Sequence, residues 1–509
     1  MRGCSIMSSF NLELEISFSK KLLTAYKSDP KLEPGSIRTL EKKLDTAIAI
    51  RNTAKDEALK RLHKLQHDRT YQQLQKEYAT RKKKDPKADV SDLSPKYWEC
   101  MSFYGYTEYD LQSYVVQAKH QYHNILGADE CQKLATQAFC AVDKIRTKES
   151  KKVHFLPRTS DSSVEGKSKK STLKYIGDCC IQFGKGNIYP LILKKKDLYA
   201  QEALTHRVKY VRIVRRTIRG KRRYFAQLVM DGIPPKTKHL DYGKKGQRVG
   251  LDEGTSTIAI VSKEEVSLLE LAPQTRTDEK NLRRLNRAID RSKRAMNPDN
   301  YNEDGTVKRG RLKWKRSKHC IAMESRRKEL YRKSAWNRHC SHNQLANHIV
   351  SLGTEIRVEE MRIAALAKRS SKISKNKKNG RIRSKKRYGK TILNRAPASL
   401  IEAIDRKLHY IGASVQKIDT AQVRASQYDH MLDTYKKKQL SDRWHVFWDG
   451  SKVQRDMYSA FLIYCTSDTL NQIDRDLCIL NFLRFKQLHD QEILRLQTED
   501  NKTLRWYIA

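Results

Sequence analysis

The sequence has no apolar run approaching the roughly 18–20 residues that a membrane-spanning helix needs. Its first residues, MRGCSIMSSFNLELEISF, lack the apolar core of a signal peptide. Both absences point to a cytoplasmic chain with no membrane partner. Ten cysteines are present, yet no two form a CxxC pair. A disulfide framework or a cysteine zinc ribbon is therefore not expected. Acid is scarce: 58 Asp and Glu stand against 104 Lys and Arg, a net charge of +46 in 509 residues. Such a charge repels itself unless a polyanion neutralises it. Nucleic acid is the partner this implies, bound with a steep salt dependence. A merely soluble basic protein is the weaker alternative.

What is present comes in blocks, and the length predicts about three domains. Residues 8–18 alternate apolar and polar, so Leu12, Leu14, Ile16 and Phe18 share one face of a strand. After the Pro30 to Gly35 break, Ser36 is placed to cap a helix. Ile37, Leu40, Leu44, Ala47 and Ile48 then follow at helical spacing. Aromatic residues crowd positions 97–122, where a helical core explains them better than base stacking does. A polar linker, 158–172, leads to strand-like sequence at 174–194 and a hairpin over 209–232 that turns near Gly220. The hairpin's polar face carries Arg212, Arg215, Arg216, Arg222 and Arg223, which are expected to meet nucleic-acid phosphates. A basic helical stretch, 277–349, is expected to do the same, a solvated face being the alternative. His319-Cys320 and His339-Cys340 lie within it, in surroundings too basic to favour a metal site.

Three carboxylates stand beside apolar segments. RVGLDEGTSTIAIVS (248–262) reads as two adjacent strands, with Asp252 near the end of the first. Alone, it could be a surface Asp in an ordinary hairpin. TEIRVEEM (354–361) is a short strand ending in Glu359 and Glu360. KVQRDMYSAFLIY (452–464) places Asp456 just before an apolar helical run. After Glu360 there is no acidic residue until Glu402. Positions 368–395 hold thirteen Lys and Arg, including Lys377, Lys378, Arg381, Arg383, Lys385, Lys386 and Arg387. So self-repelling a segment is expected to order only on nucleic acid.

Asp, Glu and Asp about a hundred residues apart is the order of acids in a RuvC-type nuclease of the RNase H-like fold. GLDEGTSTIAIV resembles the first RuvC motif of TnpB proteins and compact type V CRISPR effectors. IRVEEM resembles the second, and QRDMYSAFLI the third, although Tyr458 stands where that pattern has Asn. The likeness runs over roughly 150–465. It implies an α+β chain: an N-terminal wedge β-barrel (1–30 and 156–246) with a helical recognition insertion (31–155). An RNase H-like nuclease domain follows at 247–420, then a target-loading segment at 421–451, then the third motif and a tail at 452–509. The basic segment after the second motif would be the nuclease lid.

The resemblance also implies partners and chemistry. Guide RNA would pair with double-stranded target DNA beside a short adjacent motif, displacing a single strand. One site would cut both strands, using two Mg²⁺ ions roughly 4 Å apart. Asp252 would bridge the ions, and Glu359 and Asp456 would each complete one; Glu253 and Glu360 should point away. The chain departs from the family at 421–451, where TnpB proteins carry four zinc cysteines and this sequence has none. His430 and His445 alone cannot form a tetrahedral site. Tyr428, Tyr435, Trp444, Phe447 and Trp448 are expected to hold the segment instead. A monomer is the favoured state. Two other functions stay open at this point: a guided DNA-binding repressor that does not cut, and a DDE-type transposase that works without a guide.

Overall fold

A computed structural model of the chain describes residues 9–19, 33–85, 88–361, 366, 388–437, 439 and 442–508. Lys377, Lys378, Arg381, Arg383, Lys385, Lys386 and Arg387 of the expected lid lie outside the described residues. The architecture mixes helix and strand, in two units, Met1–Pro235 and Lys236–Ala509. The division falls some ten residues before the boundary expected at 247. Leu240 and Tyr242 already pack in the second unit's core, and the Tyr242 hydroxyl donates to the Lys407 carbonyl (3.0 Å).

In the first unit, strand β1 (Ser9–Glu15) buries Phe10, Leu12 and Leu14, as its alternation predicts. Strand β2 is Glu33–Pro34. Ser36 caps α1 (Ile37–His67), its side chain accepting from the Thr39 N–H. Helices α2 (Arg69–Lys84), α3 (Leu93–Phe103), α4 (Glu108–Ala118) and α5 (Ala128–Arg146) follow. Tyr106 is buried, and Tyr97, Tyr104, Tyr114 and Tyr122 pack around the core; Trp98, Phe103 and Tyr109 are exposed. Then come β3 (Ser162–Glu165), β4 (Leu173–Gly177), β5 (Cys180–Phe183), β6 (Asn187–Pro190), α6 (Leu198–Ala203), β7 (Val208–Ile218) and β8 (Lys221–Asp231). One sheet runs β1-β8-β7-β3 and another β2-β6-β5-β4, with an isolated bridge between Ile16 and Leu191. Helices and strands share one apolar core. The β7–β8 turn is Arg219-Gly220, with φ of 50° and 76°. That left-handed pair matches the twist of the flanking strands.

In the second unit, β9 (Arg248–Glu253), β10 (Thr257–Ser262) and β11 (Val266–Glu270) form an antiparallel meander. Helices α7 (Thr275–Met296) and α8 (Lys318–Leu352) pack on each other through Leu285, Ile289, Cys320 and Met323. Cys320 is thus a core residue. Strand β12 (Glu355–Glu359) lies parallel to β9, on the side away from β10. Beyond α9 (Gly389–Arg395) and α10 (Pro397–His409), β13 (Gln416–Ile418) pairs parallel with β12. The sheet order is β11-β10-β9-β12-β13. After α11 (Thr420–Val423) come two small hairpins, β14 (Tyr428–Asp429) with β15 (Thr434–Tyr435), and β16 (Trp444–Val446) with β17 (Lys452–Gln454). Helices α12 (Arg455–Tyr464), α13 (Arg475–Thr498) and α14 (Lys502–Ile508) complete the unit.

The sheet is covered on both faces. Val249, Leu251, Ile356 and Val358 cluster with Ile349 and Val350 of α8 and Leu400 and Ile404 of α10. Ala259, Val261 and Leu268 cluster with Met457, Ala460 and Phe461 of α12 and Phe485 of α13. Each such aliphatic or aromatic side chain contributes about 1.5–3 kcal/mol when fully buried. Among the described residues no helix is long and apolar enough to cross a membrane.

Candidate active site

Strand alternation decides which way the acids face. Val249 and Leu251 face α8 and α10, so Gly250 and Asp252 face α12. The packing at Gly250 agrees: a β-carbon there would collide with the backbone of Ala460 and Tyr464. Across the parallel pair, Arg357 stands opposite Gly250 and Val358 opposite Leu251. Glu359 therefore continues the row beside Asp252, on the α12 side. Arg357 is 1% exposed. It donates to the Thr466 hydroxyl (3.0 Å) and the Ser467 carbonyl (3.2 Å), just past the end of α12, and pairs with Glu355. The strand bearing Glu359 is thus tied to the helix bearing Asp456.

Asp456 lies in the first turn of α12, where a carboxylate meets the positive end of the helix dipole. Gln454 caps that turn. Its side-chain oxygen accepts from the Met457 N–H (2.8 Å), and its amide nitrogen donates to Asp456 Oδ2 (3.2 Å). The Gln454 backbone N–H donates to Nε2 of His489, a buried residue of α13 (2.8 Å). Burial lowers the His489 pKa, which keeps the ring neutral and able to accept. The sequence reading missed Gln454 and His489. The only available signal was a polar residue just before an apolar helix.

The three acids feel one another. Burial raises the Asp252 pKa well above the ordinary carboxylate range, and the charges of Asp456 and Glu359 raise it further. Arg455 opposes them. Burial pushes Glu359 up to about 7, and its Oε1 finds no hydrogen-bond partner among the described residues. Glu253 is 4% exposed, and burial pushes it too to about 7.

Such a set fits Mg²⁺, which takes hard oxygen ligands, keeps several waters and needs only one or two carboxylates per ion. The unpartnered Glu359 oxygen and the mutual repulsion are what a cation would relieve. Among the described residues no trio of His, Cys, Asp or Glu forms a cage for a single ion.

The hairpin arginines have other partners. Arg215 is 1% exposed, bonded to Asp45 (2.6 Å) and to the carbonyls of Ser160 and Arg158. It is closed to phosphate, which corrects the expectation for that residue. Arg212 pairs with Glu165, Arg216 with Glu13, Arg222 with Glu41 and Arg223 with Glu15, all more exposed. These pairs join strands and helices whose register the sequence did not reveal. In the 421–451 segment, Tyr428 and Phe447 are buried as expected, Tyr435 is exposed but packs its ring on Tyr428 with centroids 4.8 Å apart, and Trp448 is exposed.

No protein-family model matches the chain, and no curated protein matches it. Among solved structures the chain is similar to one described as "Cryo-EM structure of the Cas12f1-sgRNA-target DNA complex". The identity is 11% and the TM-score 0.45, with 91% of this chain and 99% of that chain covered. It is also similar to "Cryo-EM structure of CRISPR-Cas12f Ternary Complex", at 12% identity and a TM-score of 0.24, over 85% of this chain and 82% of that chain.

Proposed function

We propose that this chain is an RNA-guided DNA endonuclease that cuts through one RuvC-type site in an RNase H-like domain. One observation carries the reading: carboxylates from two adjacent parallel strands and a helix N-terminus gather on one face of a five-stranded sheet. The three motifs in order and the net charge of +46 support it. Asp252, Glu359 and Asp456 would hold Mg²⁺. When bound, the ions activate a water and neutralise charge developing on the phosphate. The protein's own part is orientation. Gln454 fixes the Asp456 carboxylate, Arg357 fixes β12 against α12, and Gly250 lets that helix approach. Guide RNA and target DNA are the partners under this reading.

The test is to express the chain with its native flanking DNA and sequence the RNA that copurifies. The complex is then assayed with Mg²⁺ on matched plasmid beside Asp252→Ala. A discrete RNA with matched cutting, lost in the variant, is the expected result. Matched binding without cutting would instead favour a repressor. Terminal-repeat binding without a discrete RNA would favour a transposase.

A further inference from the structure

Tyr458 departs from the third motif, and the 421–451 segment departs by lacking cysteine. The structure brings the two departures together in one buried cluster. Tyr458 lies on α12, two residues past Asp456, and is 1% exposed. Its hydroxyl accepts the backbone N–H of His430 (3.2 Å) and lies 2.7 Å from His430 Nδ1. Burial holds the His430 pKa near 4, so the ring is neutral and Nδ1 can accept the tyrosine proton. The His445 ring stacks on the Tyr458 ring, with centroids 4.6 Å apart and planes 18° apart. His445 Nε2 in turn meets Asp429 Oδ2 at 3.1 Å. Phe447 packs edge-on against both rings. His430, His445, Asp429 and Phe447 are all buried. From α13, Arg475 donates to the carbonyls of His430 and Met431 (2.9 and 3.0 Å).

The cluster therefore gathers both small hairpins onto one tyrosine. His430 follows β14 directly, and His445 is the middle residue of β16. A phenol can do this work because it offers a stacking face and a hydroxyl that both donates and accepts. An Asn at that position has no ring to stack. In the segment, His430 Nδ1 and His445 Nε2 are each engaged by a neighbouring side chain.

We propose that Tyr458 is a positioning residue: it locks the 421–451 segment to the helix that carries Asp456, so that segment and catalytic carboxylate move as one piece. This rests on the nuclease reading, in which the segment delivers a strand to the site. Its consequence concerns the order of cutting. A strand that must be delivered needs the lock, whereas a strand already at the site does not.

The experiment compares the wild-type guided complex with Tyr458→Phe, which removes only the hydroxyl. It also includes Phe447→Leu, which loosens the same cluster without substituting a residue of α12. Cleavage of each DNA strand is followed separately, with hydrogen exchange measured across the whole chain. Expected in both variants are faster exchange confined to 421–451 and target-strand cutting about tenfold slower, with displaced-strand cutting within about twofold. Both cuts falling together, in step with thermal stability, would reduce the cluster to ordinary core and overturn the proposal. Unchanged cutting and unchanged exchange would overturn it as well. If the wild-type complex cuts nothing, the nuclease reading fails. Exchange then decides alone: acceleration confined to 421–451 in both variants upholds the lock, and its absence removes it.

Discussion

Asp252 sits where its own charge is opposed, by burial and by two neighbouring carboxylates. Glu359 titrates near 7 in the folded protein, against an ordinary value of 4.5. A carboxyl with a raised native pKa holds its proton more firmly folded than unfolded. Stability from Glu359 is therefore greatest at low pH and is lost as pH climbs from about 4.5 through about 7, and the raised Asp252 acts in the same direction. A divalent cation held there would supply the missing partner and, by binding only the folded form, would stabilise it. Mg²⁺ should thus raise the melting temperature more at about pH 8 than at about pH 5.5. Asp252→Asn should melt higher than wild type without metal at about pH 8, lose most of the Mg²⁺ response and abolish cutting. Equal Mg²⁺ shifts at the two pH values would contradict this account of the site. Gly250 offers a different check. Gly250→Ala forces a β-carbon into the α12 backbone and should cost on the order of 1–3 kcal/mol in urea unfolding. An unchanged midpoint would disprove so close an approach.

Among the elements, the C-terminal helix α14 had no legible role in the sequence, and the contacts around Glu270 give it one. Glu270 pairs with Arg395 at the end of α9, with side chains 3% and 9% exposed. It also accepts from Asn501 (2.8 Å) and Thr503 (3.3 Å), at the start of α14. Tyr507 of the same helix meets Ser256, in the turn that follows Asp252 and Glu253 (3.2 Å). Arg443 lies 3.7 Å over the Trp506 ring. Breaking a buried pair leaves one charge unmet, so Glu270→Ala should cost roughly 3–5 kcal/mol. Exchange should rise in both α9 and α14, and a rise in only one would show that they are anchored separately. The contrast with β9 explains what a sequence can carry. Alternation and apolar runs are local, so Leu251, Val358 and the acids that follow them announced strands and a shared chemistry. Glu270 and Arg395 are 125 positions apart, and nothing local in either marks the other. The hairpin arginines fail for the same reason. Their charge is visible in sequence, but Glu13, Glu15, Glu41 and Glu165 become their partners only once the sheet register exists.

For the whole molecule, those pairs redistribute the charge that counts. Arg215 contributes to the net +46 but cannot reach a phosphate. Arg215→Met, which removes the charge, should therefore lower stability while leaving the salt dependence of nucleic-acid binding unchanged. Loss of a true phosphate contact would reduce that slope by about 0.7–0.9. A reduction of that size would return Arg215 to the interface. The first sheet also sets an order of events. Ser9 pairs with Asp231, at the two ends of the unit. During synthesis at about 5–20 residues per second, β1 waits roughly 10–40 s after leaving the ribosome before its partner strand exists. Strand β1 is thus made well before its pairing with β8 becomes possible. Meanwhile Phe10, Leu12 and Leu14 trail from the nascent chain as a short apolar stripe, open to any chaperone that binds extended segments.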